Sequence, residues 1–286
     1  MFMKNILVTG GSGKAGRATI KLLLEKNYNV FNVDFVNNSE LDVPFTKVDL
    51  EDFGDAMEVV SEIDDRINGI DAVIHQAAIP ASGLEANHKT FRANTLSTYN
   101  IFQASKVMKI NNIVWASSET VLGLPFDTYP PYVPVDEEYE PRPESSYSLS
   151  KVMGEEMARQ YCRRNPEMKI FGLRYSNIME EHDYKQFHSF QNDPLLRKWN
   201  FWGYIDARDV AQACLLAMES NLKGADNFII AADDTVMEKN NKSLLDKVFP
   251  NINIKGEIGK NKTLLSNEKA KKILGFKPEY SWRKIN

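Results

Sequence analysis

The chain has 286 residues, of which 43% are hydrophobic and 26% are charged, and its formal net charge is -4. These values are ordinary for a globular protein, and the small negative charge argues against strong attraction to nucleic acid or to an anionic membrane. No apolar run approaches the roughly 18 residues of a membrane span, and the two cysteines form no disulfide or metal-binding pattern. We therefore expect a cytoplasmic protein with no metal.

Short apolar runs alternate with longer amphipathic segments through most of the chain. The runs predict strands at residues 5–9, 30–34, 45–49, 72–75, 113–117, 169–174 and 227–231. The longer segments predict helices over residues 15–26, 53–67, 90–108 and 147–164, with a late helix at 266–274 that ends before a glycine. Such alternation predicts an α/β fold with a doubly wound parallel sheet of the Rossmann type.

Two regions interrupt this alternation. Residues 123–146 contain six prolines and predict an ordered loop without regular structure. Residues 176–204 and 236–286 have weak periodicity, apart from the late helix. We expect residues 1–175 to form the Rossmann domain, with 205–235 returning to it. The two weakly periodic regions would then form a small C-terminal substrate lobe over the carboxyl edge of the sheet, where such folds bind ligands.

A glycine-rich loop follows the first predicted strand. Gly10, Gly13 and Gly16 have the spacing GxxGxxG between that strand and a helix. Glycines let the backbone turn tightly and approach a pyrophosphate at the positive end of the helix dipole. We therefore expect these glycines, with Lys14 and Ala15, to bind a dinucleotide. A plain strand-to-helix turn is the alternative.

A carboxylate, Asp34, ends the second predicted strand. It can accept hydrogen bonds from both hydroxyls of the adenosine ribose and would repel a 2′-phosphate, which favours NAD over NADP. Lys14 is the counterargument, because a cation there can meet a phosphate, but residues 35–39 contain no arginine or lysine. Asp49 and Leu50 follow the third strand and are placed to contact the adenine, with helix capping an equal alternative for Asp49.

Tyr147 and Lys151 begin the helix that follows the fifth strand, and their i,i+4 spacing places both on one helical face. An ammonium beside a phenol lowers its pKa, so Tyr147 can exchange a proton with a substrate hydroxyl. Ser118, at the end of the fifth strand, is expected to hold the reacting oxygen. The spacing alone is not specific, since it recurs at Tyr280 and Lys284. A surface tyrosine, a solvated lysine and a turn serine are the alternatives.

Several motifs occur in an order typical of one family. They are TGGSGKAGR (9–17), HQAA (75–78), WASSETVLG (115–123), YSLSK (147–151) and YIDARDVA (204–211). Over residues 3–235 the chain resembles the extended short-chain dehydrogenase/reductases, which include nucleotide-sugar epimerases, dehydratases and uronate dehydrogenases. The resemblance implies that Ser118, Tyr147 and Lys151 are catalytic, and that Asn94, Tyr147 and Lys151 also belong to the cofactor site.

The resemblance also implies further contacts and an assembly. Ala77 and Ala78 would line the cofactor site, and Asn94 would support the active-site helix. Asn177 falls where family members often contact substrate. The family often forms dimers through the two helices that here span residues 90–108 and 147–164, so we expect a homodimer.

The substrate side departs from the family pattern. Glu119 and Thr120 replace the Asp-Glu pair that family dehydratases carry after the catalytic hydroxyl, so dehydration is not expected. Glu119 and Gln76 are candidate polar contacts to substrate. Arg174 can bind an anionic group, with a buried ion pair at the strand end as an equal alternative.

The surroundings of these motifs look most like uronate dehydrogenases and related sugar oxidoreductases. We therefore predict an NAD-dependent oxidoreductase that acts on a hydroxyl or carbonyl of a small sugar, uronate or polyol. An NAD-dependent nucleotide-sugar epimerase is the enzymatic alternative. A dinucleotide-binding sensor without catalytic activity is an alternative of another class.

Overall fold

The computed structural model of the chain describes residues 4–61 and 69–284. All pairings in its main sheet are parallel, and the strand order is β3-β2-β1-β4-β5-β6-β9. The strands are β1 (Asn5–Thr9), β2 (Asn29–Asp34), β3 (Phe45–Lys47), β4 (Ala72–His75), β5 (Asn112–Ser118), β6 (Lys169–Tyr175) and β9 (Gly224–Ile230). The predicted doubly wound parallel sheet is confirmed.

Eight α-helices and one small second sheet complete the described part of the chain. The second sheet joins β7 (Ile178–Met179) to β8 (Ile205–Asp206) in parallel. The helices are α1 (Lys14–Glu25), α2 (Phe53–Ser61), α3 (Asn87–Val107), α4 (Ser146–Arg164), α5 (Phe187–Phe190), α6 (Ala207–Glu219), α7 (Asn241–Val248) and α8 (Glu268–Leu274). The helix predicted over residues 53–67 is observed as far as Ser61. Its remaining residues fall within 62–68, which lie outside the described residues.

Apolar side chains cover both faces of the sheet, as parallel strands require. One buried cluster packs α1 and α6 against one face and includes Ile20, Val210 and Phe171. The other packs α2, α3 and α4 against the opposite face, where Phe102 meets Trp115 edge to face at 5.9 Å between ring centroids. The sheet is therefore buried between two helical layers.

A third apolar cluster lies apart from the two sheet faces and is rich in aromatic side chains. It joins the proline-rich loop to residues from both weakly periodic regions, for example Phe126 to Phe201 at 4.3 Å between ring centroids. Backbone bridges from Val133 to Ile254 and from Val135 to Leu265 hold this loop in place. The division into a Rossmann domain and a lobe stays a prediction, and the proline-rich loop contributes to the cluster that the lobe residues share.

The strand order decides where a ligand can bind. The chain leaves β1 toward β2 on one side and returns to β4 on the other, so a crevice opens at the carboxyl ends of β1 and β4. The glycine loop, residues 76–78, Ser118 and Asn177 each follow a strand of this sheet, so all of them reach the same edge. In the described part of the chain, no helix is both long and apolar enough to cross a membrane.

Candidate active site

A cavity of about 1020 Å³ opens at the carboxyl edge of the sheet. Ligand pockets usually measure about 300–1000 Å³, so this one is large enough for a cofactor with a small second ligand. Most of the predicted site residues line it: Gly10, Gly13, Lys14, Ala15, Gly16, Asp34, Asp49, Leu50, Gln76, Ala77, Ala78, Asn94, Ser118, Glu119, Tyr147, Lys151 and Asn177. Arg174 is the exception.

The glycine loop is packed so tightly that two of its glycines admit no side chain. Gly10 has a φ of 69°, and a Cβ there would lie 2.5 Å from the backbone nitrogen of Ala77. A Cβ on Gly16 would lie 2.2 Å from the carbonyl oxygen of Gly10. Gly13 caps α1 without a side-chain hydrogen bond. The amides of the first turn therefore lack a capping side chain beside the cavity, an arrangement that suits a phosphate group.

Two alanine substitutions separate the roles of these glycines. Gly16→Ala should destabilise the fold, because the new methyl group meets backbone atoms. Gly13→Ala should fold normally, because its Cβ would meet only the Gly10 oxygen at 3.4 Å, yet the methyl group would occupy the wall of the cavity where a pyrophosphate approaches. Thermal unfolding and NADH titration check both variants. Normal NADH affinity in a folded Gly13→Ala protein would contradict this assignment.

The carboxylate of Asp34 lies at the carboxyl end of β2, the strand that pairs with β1 on the side away from β4. It accepts hydrogen bonds from the backbone amides of Ser12 and Phe35, at 3.0 and 2.7 Å. These bonds fix its position beside the glycine loop. Asp49 also lines the cavity, but one of its oxygens accepts from the amide of Glu51 at 2.9 Å, so the turn after β3 uses part of its hydrogen-bonding capacity.

Two ion pairs join the glycine loop and α1 to the segment that follows β7. Lys14 pairs with Asp183, and Arg17 pairs with Glu180 at 2.7 Å. Lys14, the cation that could meet the 2′-phosphate of NADP, therefore has a carboxylate partner. Glu180, His182 and Asp183 also lie close enough together to hold a metal ion, but both carboxylates already have these basic partners.

Ser118, Tyr147 and Lys151 come together at the centre of the cavity. A hydrogen bond joins Tyr147 to Ser118. The Lys151 ammonium lies 5.6 Å from the centroid of the Tyr147 ring and donates to the carbonyl oxygen of Ala116 at 2.7 Å. The YxxxK spacing thus places both side chains on the face of α4 that meets β5.

The pKa of Tyr147 differs from the lowered value expected from the sequence. Burial raises the pKa of Tyr147 to about 12 against the opposing hydrogen bond with Ser118, and the charge of Glu119 acts in the same direction as burial. Burial also lowers the pKa of the Lys151 amine to about 8. The pKa of Tyr147 therefore lies above its ordinary value although the Lys151 ammonium is nearby, because burial of the phenol dominates. At neutral pH Tyr147 is protonated and can donate to an oxygen held by Ser118.

Asn94 joins two of the elements around the cavity. Its amide oxygen accepts from the backbone amide of Ile79 at 2.8 Å, and its amide nitrogen donates to the Ile79 carbonyl at 3.1 Å. The same nitrogen lies 3.5 Å from the Ser150 hydroxyl on α4. Asn94 is buried, so these contacts fix the loop after β4 relative to the active-site helix.

The structure corrects one of the substrate contacts expected from the sequence, that of Arg174, and shows how the amide of a second, Gln76, is oriented. Arg174 is only 3% exposed and forms a two-pronged ion pair with Glu155, each bond 2.8 Å long. Its side chain faces α4 rather than the cavity, so the buried ion pair is the correct alternative. Gln76 donates its amide to Thr19 and Cys214, which directs the side chain to the helical layer beneath the sheet edge.

Glu119 is a buried carboxylate at the cavity wall. It accepts hydrogen bonds from the Ser176 hydroxyl at 2.6 Å and from the Asn200 amide at 3.1 Å. Burial raises the pKa of Glu119 to about 7, although these hydrogen bonds and the charge of Arg197 oppose the shift. The carboxyl group therefore titrates near neutral pH.

This pKa predicts a pH dependence of stability. The folded protein binds the Glu119 proton more tightly than the unfolded chain, whose carboxyl has a pKa near 4.5. The contribution of Glu119 to the free energy of unfolding is therefore fully present below pH 4.5. It falls by roughly 3 kcal/mol in total as the pH rises to about 7. Glu119→Gln should remove this loss, because glutamine does not titrate; its amide oxygen can still accept from the Asn200 amide, and the Ser176 hydroxyl can accept from its amide nitrogen.

Urea unfolding of the wild type and of Glu119→Gln at pH 5 and at about pH 8 measures this effect. Asp209 adds its own pH dependence, because burial raises its pKa to about 7 as well. The quantity to compare between the two pH values is therefore the difference in unfolding free energy between the wild type and Glu119→Gln. A difference in unfolding free energy that does not change with pH would contradict the assignment.

Several residues that line the cavity were not predicted as site residues, among them Thr120, Ser176 and Trp199. Thr120 donates to the Ser118 hydroxyl oxygen at 3.0 Å. Ser176 follows β6, and a polar residue at a strand end is a signal that could have been used. Trp199 belongs to residues 176–204, where no regular pattern indicated which side chains turn toward the sheet.

Comparison with known proteins supports the fold and the family. The profile of the NAD dependent epimerase/dehydratase family matches residues 6–231. A putative UDP-glucose 4-epimerase from Methanocaldococcus jannaschii is 34% identical over 191 residues, which are 62% of this chain and 56% of that protein. A bifunctional UDP-glucose 4-epimerase and UDP-xylose 4-epimerase from Arabidopsis thaliana is 30% identical over 63% of this chain and 54% of its own length. The chain thus spans about half the length of these curated relatives.

Solved structures match nearly the whole chain. A short-chain dehydrogenase/reductase superfamily protein from Agrobacterium tumefaciens, solved with bound NAD, superposes with a TM-score of 0.73 at 22% identity, covering 98% of this chain and 94% of that one. A mutated uronate dehydrogenase gives a TM-score of 0.68 at 20% identity, with coverages of 99% and 84%. At these identities the likeness shows the fold alone.

Proposed function

Because the chain belongs to the NAD dependent epimerase/dehydratase family, we propose that it is an NAD-dependent oxidoreductase. It oxidises or reduces a hydroxyl or carbonyl of a small sugar, uronate or polyol. The observation that carries this proposal is that Ser118, Tyr147 and Lys151 line the same cavity as the glycine loop and Asp34. A dinucleotide extended from Asp34 along the loop would bring its reactive end to Tyr147.

The residues around the cavity fit NAD. The amides at the start of α1 would bind the pyrophosphate, Asp34 the adenosine ribose, and Asp49 and Leu50 the adenine. Ala77 and Ala78 would lie along the cofactor. When bound, NAD supplies the acceptor for the hydride that leaves the substrate carbon. Asp34 and the ion pair of Lys14 with Asp183 both support NAD over NADP.

Three side chains then carry the proton transfer. In reduction, the neutral Tyr147 phenol donates its proton to the carbonyl oxygen as hydride reaches the carbon, giving an alcohol. In oxidation the phenolate takes the hydroxyl proton as hydride leaves, giving a carbonyl. Ser118 holds the reacting oxygen by a hydrogen bond, and Lys151 provides the nearby positive charge that stabilises the phenolate.

An NAD-dependent nucleotide-sugar epimerase is the second candidate, and the UDP-glucose 4-epimerases among the relatives favour it. In that reaction the hydride returns to the same sugar, so no reduced cofactor accumulates. The same three residues would serve, because both reactions begin with removal of a hydroxyl proton. A sensor without catalysis is less well supported, because such a protein has no need of Tyr147 and Lys151 in the cavity.

A panel of sugars, uronates and polyols incubated with NAD or NADP tests the leading proposal. We expect NADH absorbance to grow with substrate concentration, with NAD preferred over NADP. Formation of an epimer from UDP-glucose without net NADH would replace this proposal with the epimerase. Failure of NADH to bind at all would refute both.

We further propose a homodimer through α3 and α4. These helices pack against each other and expose apolar side chains on their outer faces, namely Leu96, Tyr99, Leu149 and Met153, which are each 40–43% exposed. A second copy could bury this surface, as apolar patches of this kind often form interfaces. Light scattering on the purified protein should give twice the chain mass, and a monomer would refute the proposal.

A further inference from the structure

The end of the cavity that would receive the substrate carries very little charge. We define this substrate end as residues 118–120, 176–178, Tyr147 and Trp199, which lie at the carboxyl ends of β5 and β6, at the start of α4 and in the segment before β8. Among the described residues there, Glu119 is the only side chain with a formal charge. The loop at residues 79–82, which also lines the cavity, contains no charged residue.

The cations nearest to this end are engaged elsewhere. Lys151 donates to the Ala116 carbonyl, and Lys14 pairs with Asp183. Arg197 is 5% exposed and donates to the carbonyl of Gly203 at 2.7 Å. Lys14 and Arg197 therefore do not offer their charges to a phosphate or carboxylate bound beside Tyr147, and the charge of Lys151 serves the phenolate of Tyr147 itself. An anion buried without a cationic partner is strongly disfavoured.

The N-terminus of α4 does not replace these cations. It begins next to Tyr147, and the amides of such a turn can bind an anion. Here Ser145 and Ser148 form a capping box, in which each side chain accepts a hydrogen bond from the backbone amide of the other. The amides of Ser145 and Ser148 are therefore already bonded.

Trp199 gives the substrate end an aromatic wall. The Arg197 guanidinium lies 5.0 Å from the centroid of the Trp199 ring and 5.3 Å from that of Phe190. The indole therefore has a cation–π contact with a buried arginine. The negative face of an indole attracts the positive C–H edges on the apolar face of a sugar ring. Asn177 presents an amide group that hydrogen-bonds well with hydroxyls, and each Glu119 oxygen, which accepts one bond from Ser176 or Asn200, keeps the capacity to accept another.

We propose that the substrate is an uncharged sugar or polyol, which stacks on Trp199 and places hydroxyls on Glu119 and Asn177, and that uronates and nucleotide sugars are excluded. This inference rests on the proposed function, and it narrows the substrate class of the same site. It also distinguishes this chain from the UDP-glucose epimerases among its relatives, because a UDP group brings a pyrophosphate for which this end has no cation.

Binding to the NAD-loaded protein tests the charge argument directly. Calorimetric titration with UDP and with glucuronate should give no binding with a Kd below about 1 mM. A Kd for either compound below about 0.1 mM would overturn the inference. In the substrate panel, the best neutral sugar should exceed glucuronate in kcat/KM by about 10-fold or more, and equal or better turnover of glucuronate would overturn it too.

These outcomes separate this inference from the proposed function. If no compound yields NADH, the proposed oxidoreductase fails, while the UDP titration still decides whether the site accepts an anion. If glucuronate yields NADH as well as any neutral sugar, the oxidoreductase stands and the neutral substrate class fails.

Variants of Trp199 test the stacking surface. Trp199→Ala should raise the KM for the neutral sugar about 5- to 10-fold with kcat and the Kd of NADH little changed, and Trp199→Phe should restore most of the loss. Leu196→Ala, in the same segment but 54% exposed, is the matched control and should behave as the wild type. An unchanged KM in a folded Trp199→Ala protein would overturn the role of Trp199.

Discussion

Replacing Tyr147 by phenylalanine should lower kcat/KM for the sugar by about 10²- to 10⁴-fold, the usual contribution of a positioned acid or base. The substitution removes only the hydroxyl that is bonded to Ser118. The ring of residue 147 would still pack under Lys151, so the fold and the cavity should be retained. The Kd of NADH, measured by fluorescence titration, should stay within about twofold of the wild-type value, since the glycine loop, Asp34 and Lys151 are unchanged.

Tyr161→Phe is the matched control on the same helix. The hydroxyl of Tyr161 donates to Gln103 at 2.8 Å and does not line the cavity. This variant should keep full activity. If Tyr147→Phe also kept full activity, Tyr147 would have no part in the chemistry, and if neither protein turned over any sugar while both bound NADH, a sensor would be the better description.

Replacing Arg174 by alanine should destabilise the protein by about 3–5 kcal/mol, the usual result of removing one partner of a buried ion pair. The loss would leave the Glu155 carboxylate, which also accepts from the Ser117 hydroxyl at 2.6 Å, without a compensating charge. The midpoint of urea unfolding measures this effect. The KM for a neutral sugar should not change in the folded fraction, because Arg174 does not line the cavity.

Two further variants test this account of Arg174. The double variant Arg174→Met with Glu155→Leu should recover most of the stability, because it removes both buried charges together. Arg159→Ala breaks an exposed ion pair with Glu156 on the same helix and should hardly affect unfolding. A stable Arg174→Ala protein with a raised KM for anionic sugars would restore Arg174 as a substrate contact.

The main sheet could be predicted from the sequence because each strand carries a local signal. A parallel strand buried on both faces needs a continuous apolar run, and turn residues bound each run. Helix α6 was not assigned as an element, because only Gln212 interrupts the apolar run from Val210 to Met218. Such a run lacks the polar spacing that marks a helix with one buried face.

The cofactor half of the site was also predictable, whereas the substrate half was only partly so. Gly10 and Gly16 belong to the short connection from β1 to α1 and its first turn, and Asp34 is the last residue of β2, so local sequence places all three. The direction of a side chain at a strand end depends on partners far along the chain, such as Glu155 for Arg174 and Thr19 for Gln76. Trp199 reaches the cavity only through the packing of the third apolar cluster, for which local sequence gives no signal.

The fate of one hydrogen atom tests the central claim most directly. A neutral sugar that carries deuterium on the carbon to be oxidised is incubated with the protein and NAD, and the label is located by mass spectrometry. An NAD-dependent oxidoreductase predicts that the deuterium appears in released NADH, in equal amount to the oxidised sugar, and that Tyr147→Phe abolishes this transfer. Label that remains entirely in the sugar while its configuration changes would contradict the account and identify an epimerase.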